Sequence, residues 1–346
     1  MEESLLKELT DKFSPSGGEL SVHAIIKREL SRFVDRIDSL KNGSLVAIKK
    51  GFPGKCSLML DAHIDEVFAV ITGVTEEGFL RFFSESIDQK IFPGSIVIVH
   101  GQKPIKGIIG IKPAHLVTEE ETKKAMEINE LFIDCGFDKK DIEEIVAVGD
   151  FVSFNPNFSK IGNCYSNKSF DDKLGAYVII EVIKRLKRIN PLVNIICHFS
   201  SQEEENLYGA ITSTYALKPD FAIAIDVTHA TSPGVSVDEA FEIGNGPAIF
   251  IGPSVDRVIV NKLIKTAENF NIPFSKEIDI FSGTDAIGIQ TVQEGVPVAV
   301  VSIPLRYMHT PVETADQSDI ENTVNLLTQF IGSIDDSFME ELYGEH

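Results

Sequence analysis

The chain has 346 residues, 43% hydrophobic and 24% charged, an ordinary globular composition that excludes disordered, collagen-like and disulfide-stapled classes. At roughly 150 residues per domain, about two domains are expected. Asp and Glu total 52 against 32 Lys and Arg, a formal charge of −20; such a surface repels phosphate backbones and anionic lipids, so neither nucleic acid nor membrane is an expected partner.

Residues 2–36 read as helical, with Leu5, Leu6, Leu9 and Phe13 on one face, a break at Ser14-Pro-Ser-Gly-Gly, and a resumption from Val22 to Val34. Asn42-Gly43 then separates two short alternating runs, a hairpin signal. Ser57 to Asp61 is a short apolar strand leading into Ala-His-Ile-Asp-Glu. From Phe68 to Phe158 the texture changes to short β-prone runs punctuated by Gly and Pro: Phe68–Gly73, Phe79–Phe83, Ser95–His100, Ile105–Ile111 and Ile145–Phe154. One acidic stretch, Glu119–Glu130, reads as helical. Many short strands with glycine turns predict a small barrel or sandwich, inserted so that 68–159 interrupts a first domain of 1–67 and 160–346. After Phe170 strand and helix alternate. Helices are expected at Asp172–Leu186, Leu207–Ala216, Ser254–Phe270, near Thr284 and at Ser318–Ile331. Strands are expected at Val193–Phe199, Phe221–Asp226, Pro273–Ile280 and Val298–Ile303. That is a layered α/β domain.

The four cysteines, Cys56, Cys135, Cys164 and Cys197, include no CxxC pair, so neither a zinc knuckle nor a disulfide framework is signalled. The N-terminus has no basic segment running into an apolar core, and no apolar run approaches the ~20 residues of a membrane span. The expected compartment is the cytoplasm.

Ligands of α/β sheets sit beyond the carboxyl ends of strands, and five segments deliver acids or imidazoles there. His63-Ile-Asp65 follows the strand ending at Asp61; residues two apart on an extended segment point the same way, so an imidazole can ligate while a carboxylate orients it. Asp171-Asp172 opens a helix, where a cap and a bridging carboxylate are competing readings. Gln202-Glu203-Glu204-Glu205 follows a buried strand, so neighbouring glutamates can divide ligation from base work. Asp226 closes an apolar strand and needs a partner or solvent; His229 follows it. His309 lies just beyond the strand Val298–Ile303. Each signal alone has a bland reading. Together they offer two imidazoles and three carboxylates, a donor set for two divalent cations such as Zn²⁺, Co²⁺ or Mn²⁺, with Asp65 and Glu203 left over.

The motifs Ala62-His63-Ile-Asp65-Glu66-Val67, Phe170-Asp171-Asp172-Lys-Leu-Gly175, Gln202-Glu203-Glu204, Ile225-Asp226-Val-Thr-His229, Ser282-Gly-Thr-Asp-Ala286 and Arg306-Tyr-Met-His309-Thr-Pro-Val-Glu313 resemble, in order and spacing, the M42 or TET metalloaminopeptidases. The resemblance spans essentially the whole chain. It implies an α/β/α catalytic domain with an inserted β-barrel or PDZ-like dimerisation domain, and dimers that build a hollow dodecamer. It implies that His63 and Asp226 are terminal ligands of one metal, that Glu204 and His309 are ligands of the other, and that Asp171 bridges. Glu203 resembles the general base acting on a di-metal-bound hydroxide, and Asp65 resembles the residue that orients His63. The implied activity is removal of N-terminal residues from peptides. The sequence departs from the pattern at Phe68, at Glu205-Asn206-Leu-Tyr208 and at Thr231-Ser232-Pro233, and none of these departures removes a ligand.

Two other functions compete. Some M42-like proteins carry an endoglucanase label, and a glycoside hydrolase also needs paired carboxyls, but the chain has no Trp for a sugar platform. A non-catalytic scaffold with a structural metal would have no use for the spare carboxylates Asp65 and Glu203.

Overall fold

A computed structural model describes residues 1–54, 56–116, 126–236 and 240–344. The apolar runs of residues 36–63 and 194–305 build a sheet of eight strands among the described residues. Its order is Arg36–Ser39, Leu45–Lys49, Asn194–Ser200, Ser57–His63, Phe221–His229, Val298–Leu305, Ala248–Ile251 and Ser275–Ile278. The four middle strands run parallel, and parallel strands must be covered on both faces. One face, with Leu58, Leu60, Ile223, Ile225, Val301 and Ile303, packs on helices that include Glu3–Asp11, Leu20–Leu30, Phe170–Arg185 and Gln317–Gly332. The other, with Met59, Ala222, Ala224 and Val300, packs on Ala210, Ala286 and Ile289 of the helices Tyr208–Leu217 and Ala286–Gln290. The fold is therefore α/β/α.

The local readings hold where periodicity is strong. Leu5, Leu6 and Leu9 are buried on the first helix. Arg36–Ser39 and Leu45–Lys49 pair as the antiparallel hairpin that Asn42-Gly43 signals, with Gly43 at φ 98°. Side-chain caps start two long helices: Asp256 accepts from the amides of Val258 and Ile259, and Asp316 accepts from the amide of Ser318. The strand expected to close at Asp226 continues to His229. Three short strands, Ser159–Ile161, Cys164–Asn167 and Glu313–Asp316, form a second sheet that the sequence does not announce, because they are too short and polar to alternate.

Contacts divide the chain into two units. The first, with the sheets above, comprises Met1–Glu66, Phe158–Met308 and Glu313–His346; the second comprises Val67–Asn157 with His309–Val312. The second is a closed barrel ordered Ala69–Val74, Leu80–Phe83, Ile133–Asp134, Pro104–Ile109, Ile96–His100 and Phe151–Phe154. Ile71, Phe82, Phe92, Val99, Ile133 and Phe154 fill it, and Phe68 packs edge-on against Phe151 at 5.1 Å. The expected strand Ile145–Phe154 is shortened to Phe151–Phe154. Gly149 at φ 98°, and an Asp150 carboxylate accepting the Ala147 amide, turn the chain before it. Of the acidic stretch Glu119–Glu130, residues 119–125 lie outside the described residues, and Ile128–Glu130 is a single 3-10 turn. Among the described residues no helix is long and apolar enough to cross a membrane.

Candidate metal centre

Strand register brings the acidic residues together. Ser200 pairs with His63, so the strand Asn194–Ser200 releases the Gln202–Glu204 turn beside the imidazole. Ala224 pairs with Asp61, so two residues further Asp226 is level with His63. Side chains alternate along a strand, and His63 and Asp226 share the face of Met59 and Ala224. Asp171 and Asp172 enter from the start of the helix Phe170–Arg185, where both have non-helical backbone angles and the bond joining them is cis. One carboxylate oxygen of Glu313 accepts from the amides of Phe170 and Asp171, at 2.6 and 3.2 Å, and fixes that entry.

The result is a compact, buried donor set. His63 Nε2 lies 3.0 Å from Asp171 Oδ1 and 3.9 Å from Glu203 Oε2. Nδ1 faces the carbonyl of Asp65 at 3.2 Å and its carboxylate at 3.5 Å. Ligating atoms of His63, Asp171 and Glu204 lie within 4.8 Å of one another, and so do those of His63, Asp172 and Asp226. Asp65 also accepts from the amides of Glu203 (3.1 Å) and Glu204 (3.3 Å), so one carboxylate ties the histidine to the glutamate turn. His309 belongs to the second unit, where Nδ1 lies 3.0 Å from the carbonyl of Ser86.

Crowding dominates the electrostatics. Burial, reinforced by Asp171, pushes the Asp226 carboxyl up to about 8. Burial and the charge on Asp226 push Asp172 well above the usual carboxylate range. Burial likewise raises Glu203 well above that range; His63 opposes the rise, while Asp226, Asp285 and Glu204 add to it. Burial works against a charge on His63, yet Glu203, Asp171 and Asp65 outweigh it and hold its pKa well above the ordinary histidine value. Buried carboxylates gathered around a single imidazole are short of positive charge. Imidazole and carboxylate oxygens are the donors that Zn²⁺, Co²⁺ and Mn²⁺ accept. The buried Asp172 Oδ2 has no hydrogen-bond partner, as expected of an atom placed for a cation. The residues fit divalent metal.

Several contributors were not assigned roles by sequence reasoning. Asp172 and Glu313 stand inside recognised motifs, but a second aspartate at a helix start looks like a cap, and a glutamate four residues past His309 looks like surface. Glu66 is buried 2.6 Å from Lys168 Nζ and 3.3 Å from Lys173 Nζ, an ion cluster flanking the Asp171-Asp172 turn. Asp61 bonds His198, and Ser200 donates to Asp285, beneath the glutamate turn. Burial lowers the His198 pKa to about 4 and raises Asp61 to about 7.

The sequence profile of the M42 glutamyl aminopeptidases matches residues 43–326. A lysyl aminopeptidase of Pyrococcus furiosus is 28% identical, over 93% of this chain and 94% of its own. The TET aminopeptidase of a marine-sediment Thaumarchaeota archaeon superposes with a TM-score of 0.92 at 31% identity, covering 98% of both chains. The Pyrococcus horikoshii TET1 peptidase, described as assembling into a tetrahedron or a large octahedral shell, gives a TM-score of 0.84 at 30% identity, covering 96% of this chain and 99% of that one.

Proposed function

This chain belongs to the M42 glutamyl aminopeptidase family and is an aminopeptidase, and we propose that it removes N-terminal residues from peptides with Glu203 as general base and two divalent cations at the His63–Asp171–Glu204–Asp226 cluster. In this reading His63 and Asp226 would hold one cation and Glu204 the other, Asp171 would serve both, and His309 would join Glu204 on the strength of the family resemblance alone. Zinc, cobalt or manganese would supply Lewis-acid polarisation of the scissile carbonyl and acidify the attacking water.

The observation that carries the reading is the position of Glu203. Its carboxylate is 11% exposed and 3.9 Å from His63 Nε2, at the edge of the donor set. Its proton affinity is raised by burial and by neighbouring carboxylates. A base so placed accepts the proton of the attacking water and returns it to the leaving amine. Asp65, bonded to the amides of Glu203 and Glu204, keeps base and ligand in fixed relation to His63. Assembly as a homo-oligomer is supported by the tetrahedron and large octahedral shell described for the P. horikoshii relative and by a related structure described as a dodecamer; dimers as the unit that builds a dodecamer are part of this proposal.

The test is hydrolysis of a panel of aminoacyl-p-nitroanilides by the protein as purified, after chelation, and after return of Co²⁺, Zn²⁺ or Mn²⁺. Metal-dependent release that disappears in Glu203→Gln supports the reading, and the panel reports the preferred side chain. Cleavage of a soluble β-glucan without any aminoacyl cleavage overturns it.

A further inference from the structure

The break at Ser14-Pro-Ser-Gly-Gly is more than a helix interruption. The segment between the first two helices runs against the motif strand and is anchored there. Ser14 Oγ donates to the carbonyl of Ile64 at 2.6 Å, the amide of Glu66 donates to the carbonyl of Ser14 at 3.0 Å, and Pro15 and Glu66 form a parallel bridge.

Past this anchor the segment reaches the glutamate turn by two routes. Ser16 Oγ donates to Asp65 Oδ2 at 2.7 Å, the oxygen that accepts the Glu204 amide, while Asp65 Oδ1 accepts the Glu203 amide. Glu19 is 1% exposed. Its Oε1 accepts from the amides of Gly17 at 2.7 Å and Gln202 at 3.2 Å. Three consecutive amides, of residues 202, 203 and 204, are thus received by two carboxylates, Glu19 and Asp65. Gln202 itself sits in the left-handed region at φ 55°. A non-glycine residue there is strained and persists only where surrounding bonds over-determine it.

We infer that Ser16 and Glu19 are positioning residues. They set the direction in which Glu203 and Glu204 leave the sheet, Ser16 by holding the rotamer of Asp65 and Glu19 by holding the amide of Gln202. This rests on the roles proposed above for Glu203 and Glu204. Partners that orient ligands in this way are worth about 10–100-fold in metal affinity or activity, because ligand and base work only within a narrow range of geometry.

The experiment uses the full chain and two readouts, Mn²⁺ affinity of the metal-stripped protein by calorimetric titration and steady-state hydrolysis of the best p-nitroanilide. Ser16→Ala and Glu19→Ala are each expected to weaken Mn²⁺ binding and lower kcat about tenfold, with KM within about twofold. Ser16→Thr restores a hydroxyl, and Glu19→Gln restores a carbonyl acceptor without charge; both are expected to recover most of each loss. Ser14→Ala, which cuts the anchor and no link to the turn, is expected to lower the unfolding temperature and leave both readouts in place.

Unchanged Mn²⁺ affinity and kcat in Ser16→Ala and Glu19→Ala, beside an active parent, overturn the inference and leave the proposed function standing. Equal losses in Ser14→Ala, or no recovery in Ser16→Thr and Glu19→Gln, also overturn it, since the segment would then act only as scaffold. A parent that neither binds Mn²⁺ nor cleaves any aminoacyl substrate overturns both.

Discussion

Replacing Glu66 by glutamine keeps its shape and removes one charge from a cluster that water does not reach. Glu66 and Lys168 are each 3% exposed and Lys173 is fully buried. The Glu66 carboxylate contacts both ammonium groups, at 2.6 and 3.3 Å, and takes the amide of Ser14 at 3.2 Å. Burial opposes its charge, but Lys168 and Lys173 prevail and hold its pKa below the usual value. Breaking a buried pair by removing one partner leaves the other charge stranded and costs about 3–5 kcal/mol. At roughly 2–4 °C per kcal/mol for a domain of this size, the unfolding temperature falls by about 6–20 °C. Glu8→Gln, which breaks the exposed pair with Arg28, is the control; surface pairs are worth about 0–1 kcal/mol. Lys173 is pushed down to about 7 by burial and can shed its proton, so Lys168 carries most of the stranded charge. Adding Lys168→Met to Glu66→Gln therefore recovers much of the loss. Calorimetry or circular dichroism melts of the four proteins, in one buffer and at one metal load, decide the matter. A Glu66→Gln melt within about 2 °C of the parent, or a double variant less stable than the single, refutes the reasoning.

Three further outcomes are expected. Lys173 has a folded pKa of about 7 against ~10.4 in an unfolded chain. Between those values the unfolded chain binds the proton that the folded chain has released, so Lys173 makes stability rise with pH from about 7 to 10; denaturant titrations across that window should show the slope flattened in Lys173→Met. Chelation should lower the unfolding temperature, because a cation at one hundred times its Kd that binds only the folded chain adds about 2.7 kcal/mol; melts that do not respond to added Mn²⁺ contradict this. Asp256→Ala removes a carboxylate that accepts from the amides of Val258 at 2.8 Å and Ile259 at 3.1 Å and should cost about 1 kcal/mol in a urea titration.

The readable parts of the fold are those with a local period. The helices around Leu5–Leu9 and within Ser318–Ile331 bury a repeating face, whereas Phe170–Arg185 is buried on nearly every side and is read from its long apolar run. The parallel strands Ser57–His63, Phe221–His229 and Val298–Leu305 are nearly continuous apolar runs, as strands covered on both faces must be. The unread strands, such as Cys164–Asn167 and Glu313–Asp316, carry too few residues to show alternation and exist because each pairs with the other. The candidate donors were legible for the same reason as the strands. His63 and Glu203 follow apolar runs directly, so their place at a sheet edge can be read from adjacency in the chain. Ser16, Glu19 and Glu313 follow no such run, Glu66 lies three residues past the end of the strand Ser57–His63, and a polar residue in a loop gives no local sign of what it bonds.

By itself the sequence determined most of the element types, the place of His63 and Glu203 at the ends of apolar strands and, through six ordered motifs, the family. Those are properties of short stretches, in which side-chain period and chain adjacency are written directly. Only the tertiary structure decided which oxygens meet. Register sets Asp226 level with His63, and Asp172 joins them by helix entry rather than capping alone. Asp65 receives Ser16 together with the glutamate turn, and Glu66 is buried between two lysines. Each of these contacts joins segments far apart in the chain, and their distances are set by strand order and by the burial of two apolar faces, which no local stretch of sequence records.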